Sequence, residues 1–195
     1  MLGTVLKVGV PLVAAGLLLT HSTAPGLAAG PIGLTNVTGH SGDCAAPTTN
    51  AVCAPLFDGH EMLWPGRKLA PATVEIGYHG SQPASVVGLY VSRFETRTPG
   101  SGASCTAPDP ASTLDLSIDQ GGQTIYQGTL SDFASAHGAA RTLLPLRAGH
   151  DGSGTGERWQ PGDSSTFSFT VGLDASAGNS YMGCVSSADL TWLAQ

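Results

Sequence analysis

Between Ser165 and Leu173 the chain reads Ser-Thr-Phe-Ser-Phe-Thr-Val-Gly-Leu, so that Phe167, Phe169, Val171 and Leu173 alternate with Ser168, Thr170 and Gly172. A period of two is the pattern of a strand with one face on a core and the other in water. Gln160-Pro161-Gly162-Asp163 precedes it, a turn in which Pro fixes one φ and Gly supplies a positive one. Asp174 to Asn179 breaks the chain again. A last strand then runs from Cys184 to Leu193, with Ala188, Leu190 and Trp192 on one face.

Other segments follow the same grammar. Thr73 to His79 puts Val74, Ile76 and Tyr78 inward, downstream of a Leu63-Trp64-Pro65-Gly66 turn. Ala84 to Thr96 contains Val86-Val87-Gly88-Leu89-Tyr90-Val91, apolar on both sides, which predicts a strand covered on both faces. Leu114, Leu116 and Ile118 alternate with Asp115, Ser117 and Asp119. Gly121-Gly122 then turns the chain, and Thr124 to Gly128 returns, which makes a hairpin. Ser131 to Gly138 predicts one short helix, with Ser131 as N-cap and Gly138 at the C-cap. Arg141 to Leu146 is a further strand candidate, and His150 to Gly156 a glycine-rich loop. Many short strands with one helix predict an all-β fold, a jelly-roll-like antiparallel β-sandwich.

Met1 to Ala29 reads as a secretory signal. Lys7 supplies the basic region, Val8 to Leu19 the apolar one, and Gly26-Leu27-Ala28 the small residues that signal peptidase reads. The expected organisation is a signal peptide over 1–28, an N-terminal segment with a disulfide loop over 29–57, and a sandwich domain over 58–195. Of the 8 Lys and Arg, Lys7 lies in the leader, so seven remain against 14 Asp and Glu, a net charge of −7. That balance argues against nucleic acid and anionic membrane as partners. After signal cleavage no membrane association is expected, and the destination is secreted: extracellular or at the cell surface.

Cys44, Cys53, Cys105 and Cys184 are an even number in an exported chain, so disulfides are expected. Three pairings are open. We favour Cys44–Cys53, closing a short loop, and Cys105–Cys184, tying a long loop to the final strand. Their spacing does not fit a zinc knuckle.

Sites of chemistry are not evident. No Gly-x-Ser-x-Gly elbow occurs, and His60-Glu61 lacks the second His of a zincin helix. His40, His60, His79, His137 and His150 are read as loop histidines. Asp115 and Asp119 are about 13 Å apart along one strand, beyond the range of an inverting glycosidase pair. Gly152-Ser153-Gly154-Thr155-Gly156 lacks the lysine of a phosphate loop. The expectation is no enzyme, no cofactor and no metal. Trp64 and Trp159 stand beside turns, where a sugar could stack on them, whereas Trp192 shares the parity of Leu190 and Ala188 and belongs to the core.

Three stretches resemble the TasA/camelysin-like proteins, exported β-sandwich subunits of bacterial surface and biofilm fibres. They are Leu114-Asp115-Leu116-Ser117-Ile118 through Ile125 to Phe133, the Trp159 to Ser164 turn with its strand, and Asn179 to Gly183 through Asp189-Leu190-Thr191-Trp192. The cysteine pairs stand outside the likeness. The resemblance implies a jelly roll and a structural role outside the cell, with self-association and contacts to other surface or matrix components. Two alternatives remain: a carbohydrate- or surface-binding module and, less favoured, a camelysin-type metallopeptidase, for which no zinc motif carries over.

Pro31 to Thr38 is the candidate donated strand for such assembly, with Pro31, Ile32, Leu34 and Val37 as its carriers. Ser165 to Leu173 has no charge, and Lys68 is the only lysine after the leader. Sheet edges without lysines or inward charges invite pairing with another chain.

Overall fold

The structure, a computed structural model, describes residues 4–11, 34–38, 56–57, 63–97, 105–139, 142–147, 158–181 and 184–195. Nine strands are present among them: β1 (Thr4–Pro11), β2 (Leu34–Thr38), β3 (Ala72–Tyr78), β4 (Val87–Arg97), β5 (Leu114–Gln120), β6 (Gln123–Thr129), β7 (Leu144–Pro145), β8 (Ser164–Leu173) and β9 (Val185–Ala194). One helix, α1 (Leu130–Ala136), follows β6 directly. The strands form two antiparallel sheets in the orders β1-β9-β4-β7 and β2-β3-β8-β5-β6. From β1 to β2, β3 to β4, β4 to β5, β6 to β7, β7 to β8 and β8 to β9 the chain passes from one sheet to the other. The result is the expected all-β sandwich, jelly-roll-like in its crossovers.

Alternation decides which face meets which. Phe167, Phe169 and Val171 of β8, Leu114, Leu116 and Ile118 of β5 and Val74, Ile76 and Tyr78 of β3 are all buried between the sheets. From the other sheet Val87, Leu89, Val91, Ala188, Leu190 and Trp192 meet them. Trp192 lies at the centre, with its ring centroid 4.9 Å from Phe167 and 6.2 Å from Phe169. Burial of such aromatic rings stabilises the fold by about 1.5–3 kcal/mol each. The Trp192 Nε1 has no hydrogen-bond partner among the described residues. Trp159 is equally buried and donates from Nε1 to the carbonyl of Leu146 at 3.4 Å, so it is a core residue rather than a stacking platform.

Both Trp-Pro-Gly neighbourhoods are turns of one kind. Gly66 and Gly162 have φ of 80° and 96°, and the N–H of Arg67 and Asp163 donate back to the carbonyls of Trp64 and Gln160. Positive φ at the third turn position is what Gly allows.

Several expectations need correction. Thr129, not Ser131, caps α1: its hydroxyl accepts from the N–H of Asp132 at 3.0 Å. Ser131 instead donates to Asp109 Oδ2 at 2.7 Å. The helix ends at His137 rather than Gly138. The strand expected over Arg141 to Leu146 shrinks to two residues, since Pro145 has no N–H with which to extend a ladder. Val86 is 39 % exposed, so coverage on both faces of β4 begins only at Val87. Before residue 58, the described residues are β1, β2, which pairs with β3, and the buried Leu56 and Phe57; this leaves the expected domain division as it was.

Candidate functional site

In a sandwich the chemistry available for association is the backbone at the sheet edges. One side is built by the N-terminal part of the chain: β1 lies along β9 and β2 along β3. On the other side the edges are β6 and the two-residue β7. The sequences of β2 and β6 carry no charge, and β6 has only a bulge opposite Ile118 and Asp119 to disturb its ladder. Such edges lack the lysines, prolines and inward charges that usually block pairing.

The candidate donor segment is placed in part. Leu34 and Val37 belong to β2, where they stand across from Tyr78 and Glu75 of β3 in the same chain. Pro31 and Ile32 lie outside the described residues. The docked position of β2 is therefore an edge of β3 that has been covered from within.

Cys105 and Cys184 are joined in a disulfide with Cα atoms 4.7 Å apart. Cys184 is fully buried at the entrance to β9. The bridge thus fastens the loop before β5 to the strand at the centre of the smaller sheet. Cys44 and Cys53 lie outside the described residues.

The outer face of the larger sheet is polar. Thr73 and Glu75, Thr166, Ser168 and Thr170, and Asp115, Ser117 and Asp119 point away from the core. Asp119 accepts from the Thr124 hydroxyl at 2.5 Å. At one end Lys68, Asp115, Ser117, Gln127 and Thr170 line a groove of about 290 Å³. Residues 66–69 reach this groove by pairing beside β8: Gly66 and Leu69 donate to the carbonyls of Leu173 and Val171, at 2.8 Å in each case. A Cβ on Gly172 would come within 2.9 Å of Lys68 Cγ, so the glycine lets that segment approach. Trp64, 54 % exposed, stands at the same end with the Arg67 guanidinium 4.3 Å from its ring centroid.

No protein-family model matches this chain, and no curated protein does.

Among the described residues no three His, Cys, Asp or Glu come together in a way that could hold a metal ion. His79 is exposed, and His137 is held by Thr142, its Nδ1 lying 2.7 Å from that carbonyl, beside Phe133. His40, His60 and His150 lie outside the described residues, as does the glycine-rich loop at 152–156. No described helix is long and apolar enough to cross a membrane.

A buried charge inside the smaller sheet was not evident from periodicity. Asp189 of β9, 1 % exposed, sits across from Arg93 of β4 on one side and Lys7 of β1 on the other. Arg93 also pairs with Glu95. Next to them the Tyr90 hydroxyl is pushed above its ordinary pKa by burial, opposed by a hydrogen bond with Thr191. The signal was present as a lone aspartate in an otherwise uncharged strand, but which residues stand across from it is set by register.

Proposed function

We propose that this is a secreted structural protein of the cell surface or extracellular matrix that associates with copies of itself through its sheet edges. The observation that carries the reading is β2, an uncharged five-residue strand held on the edge of β3 by one ladder. A strand docked in that way is exchangeable, because a neighbour's β2 offers the same hydrogen bonds in the same register. Exchange of an identical element between copies in head-to-tail fashion does not close on itself and grows as a fibre. The disulfide Cys105–Cys184 fits an oxidising compartment outside the cytosol.

The test is electron microscopy of the mature chain at rising concentration, beside a chain beginning at Gly39 whose fold is confirmed first. The expected outcome is filaments from the first and none from the second. Identical filaments from both, or no assembly by either, sinks the reading.

A second reading, a carbohydrate- or surface-binding module, is favoured by one place: the polar groove at Lys68 and Asp115 with the exposed Trp64 at the same end of the sheet. Hydroxyl, amide and charged side chains beside an indole face suit a sugar ring. Retention on an insoluble polysaccharide, lost in Trp64→Ala, would support it over the structural reading.

A further inference from the structure

Two neighbouring rows of residues cross the outer face of the larger sheet at the end where residues 66–69 join it. In the first, Lys68 is bridged to Gly172 of β8, and Gly172 stands across from Asp115 of β5. In the second, Thr170 of β8 stands across from Ser117 of β5, and Ser117 across from Gln127 of β6. Residues paired across strands share a face, so the side chains of both rows rise from one surface. Gly172 contributes none. The Lys68 stem leans into the space this leaves, its Cγ only 2.9 Å from where a Cβ at position 172 would stand. A base on one side of β8 and a carboxylate on the other thus border the groove of about 290 Å³ described above.

These side chains are unengaged. Among the described residues Lys68, Asp115, Ser117, Gln127 and Thr170 make no side-chain hydrogen bond and no ion pair. Other carboxylates of the fold are satisfied within the chain: Asp119 takes the Thr124 hydroxyl, Asp109 that of Ser131 and Asp174 that of Ser176. In the groove, by contrast, two opposite charges lie close together without meeting. Their backbones are fixed, since β5 is paired on both sides and the 66–69 segment is bonded to β8 at Gly66 and Leu69. A site held on paired strands loses little freedom when a ligand arrives.

Size and chemistry limit that ligand. About 290 Å³ is at the lower end of the ~300–1,000 Å³ of small-molecule sites, which suits a single ring unit. Two hydroxyls and a carboxamide both donate and accept, as ring hydroxyls require. Lys68 calls for an anionic substituent and Asp115 for a cationic one.

We propose that the groove binds a sugar unit bearing both a carboxylate and an ammonium group, the carboxylate at Lys68, the ammonium at Asp115 and the ring hydroxyls at Ser117, Thr170 and Gln127. A neutral sugar leaves both protein charges to water, and a singly charged one meets only one of them. Charge pattern is therefore what the site selects. The proposal rests on the surface-binding reading above, whose ligand class it names, and is independent of fibre formation.

The experiment is a titration of the isotopically labelled full chain at neutral pH, following the amide resonances of Ser117, Gln127 and Gly172. Four related probes separate the charges: muramic acid carries both, glucosamine the ammonium alone, N-acetylmuramic acid the carboxylate alone and N-acetylglucosamine neither. Muramic acid should bind tightest, and each missing charge should weaken binding by up to about fivefold, the range of a partly exposed ion pair. In Lys68→Met, glucosamine should become as good a ligand as muramic acid. In Asp115→Asn, N-acetylmuramic acid should do so instead. If either variant fails to fold, the order of the four probes on the wild-type chain, and its collapse at about 1 M salt, decides the matter. Equal binding of all four probes, or an order that survives both substitutions, would overturn the proposal and leave an uncharged sugar site standing. No shift with any probe would remove the sugar site and the proposal together.

Discussion

Cys105 and Cys184, 79 residues apart in sequence, are joined where the N–H groups of Thr106 and Ala107 both donate to the carbonyl of Ser180. The bridge and the two hydrogen bonds hold one loop against the entry to β9. Loop closure of that length restricts the unfolded chain by about 4.5 kcal/mol on the chain-entropy model. Replacing both cysteines by serine should lower stability by several kcal/mol in a guanidinium titration. A loss below about 1 kcal/mol would show that the crosslink does not stabilise in this way.

The helix cap gives a sharper local test. Thr129→Ala should cost about 1 kcal/mol and speed exchange of the Asp132 amide, because that N–H loses its acceptor. Ser131→Ala should leave the Asp132 amide protected, since its hydroxyl serves Asp109 instead. The reverse pattern would return the cap to Ser131.

Gly88 marks a close approach. A Cβ there would stand 2.6 Å from the Cβ of Leu143. Gly88→Ala should therefore destabilise by about 1–3 kcal/mol. Removing that Cβ in the Gly88→Ala, Leu143→Gly double variant should recover part of the loss, so the two changes will not add in thermal melts.

Asp174 accepts from both the N–H and the hydroxyl of Ser176, each at 2.6 Å, and its pKa is held below 3.8 by the side-chain bond first and the backbone bond second. A depressed carboxyl pKa means the turn's favourable contribution is present above the unfolded value and is lost as pH falls through the folded one. Carboxyl chemical shifts in an acid titration should give a midpoint under 3.8, moving upward in Ser176→Ala. No movement would leave the hydroxyl without a role.

What the sequence disclosed was faces; what it withheld was neighbours. Alternation at Phe167, Phe169 and Val171, or at Leu114, Leu116 and Ile118, identifies the buried side of each strand because that side is a local property. Nothing local says that Asp119 lies beside Ser168, or that β9 runs between β1 and β4. The candidate site suffered most from this. An edge exists only once strand order is known, and that Asp189 stands across from Arg93 of β4 is known only from register. Two nearer misses have local causes. Thr129 and Ser131 are both good caps, and the choice turned on which hydroxyl Asp109 engaged. The apolar run after Lys7 suits both a leader and a strand, and its pairing with β9 was invisible without the partner.

Strand β9 is the last described strand to be synthesised, yet it sits inside its sheet and brings Trp192 to the core, with Cys184 just ahead of it. Ribosomal synthesis runs in the opposite sense to the fold's needs: strands β3 to β8 emerge with no central partner for β4 and no ring to fill the space between Phe167 and Phe169. Until residues 184–194 arrive, the chain has no means of closing its sandwich or its Cys105 crosslink. A polypeptide built in that order stays open for nearly the whole of its synthesis and acquires its rigidity with its last described strand.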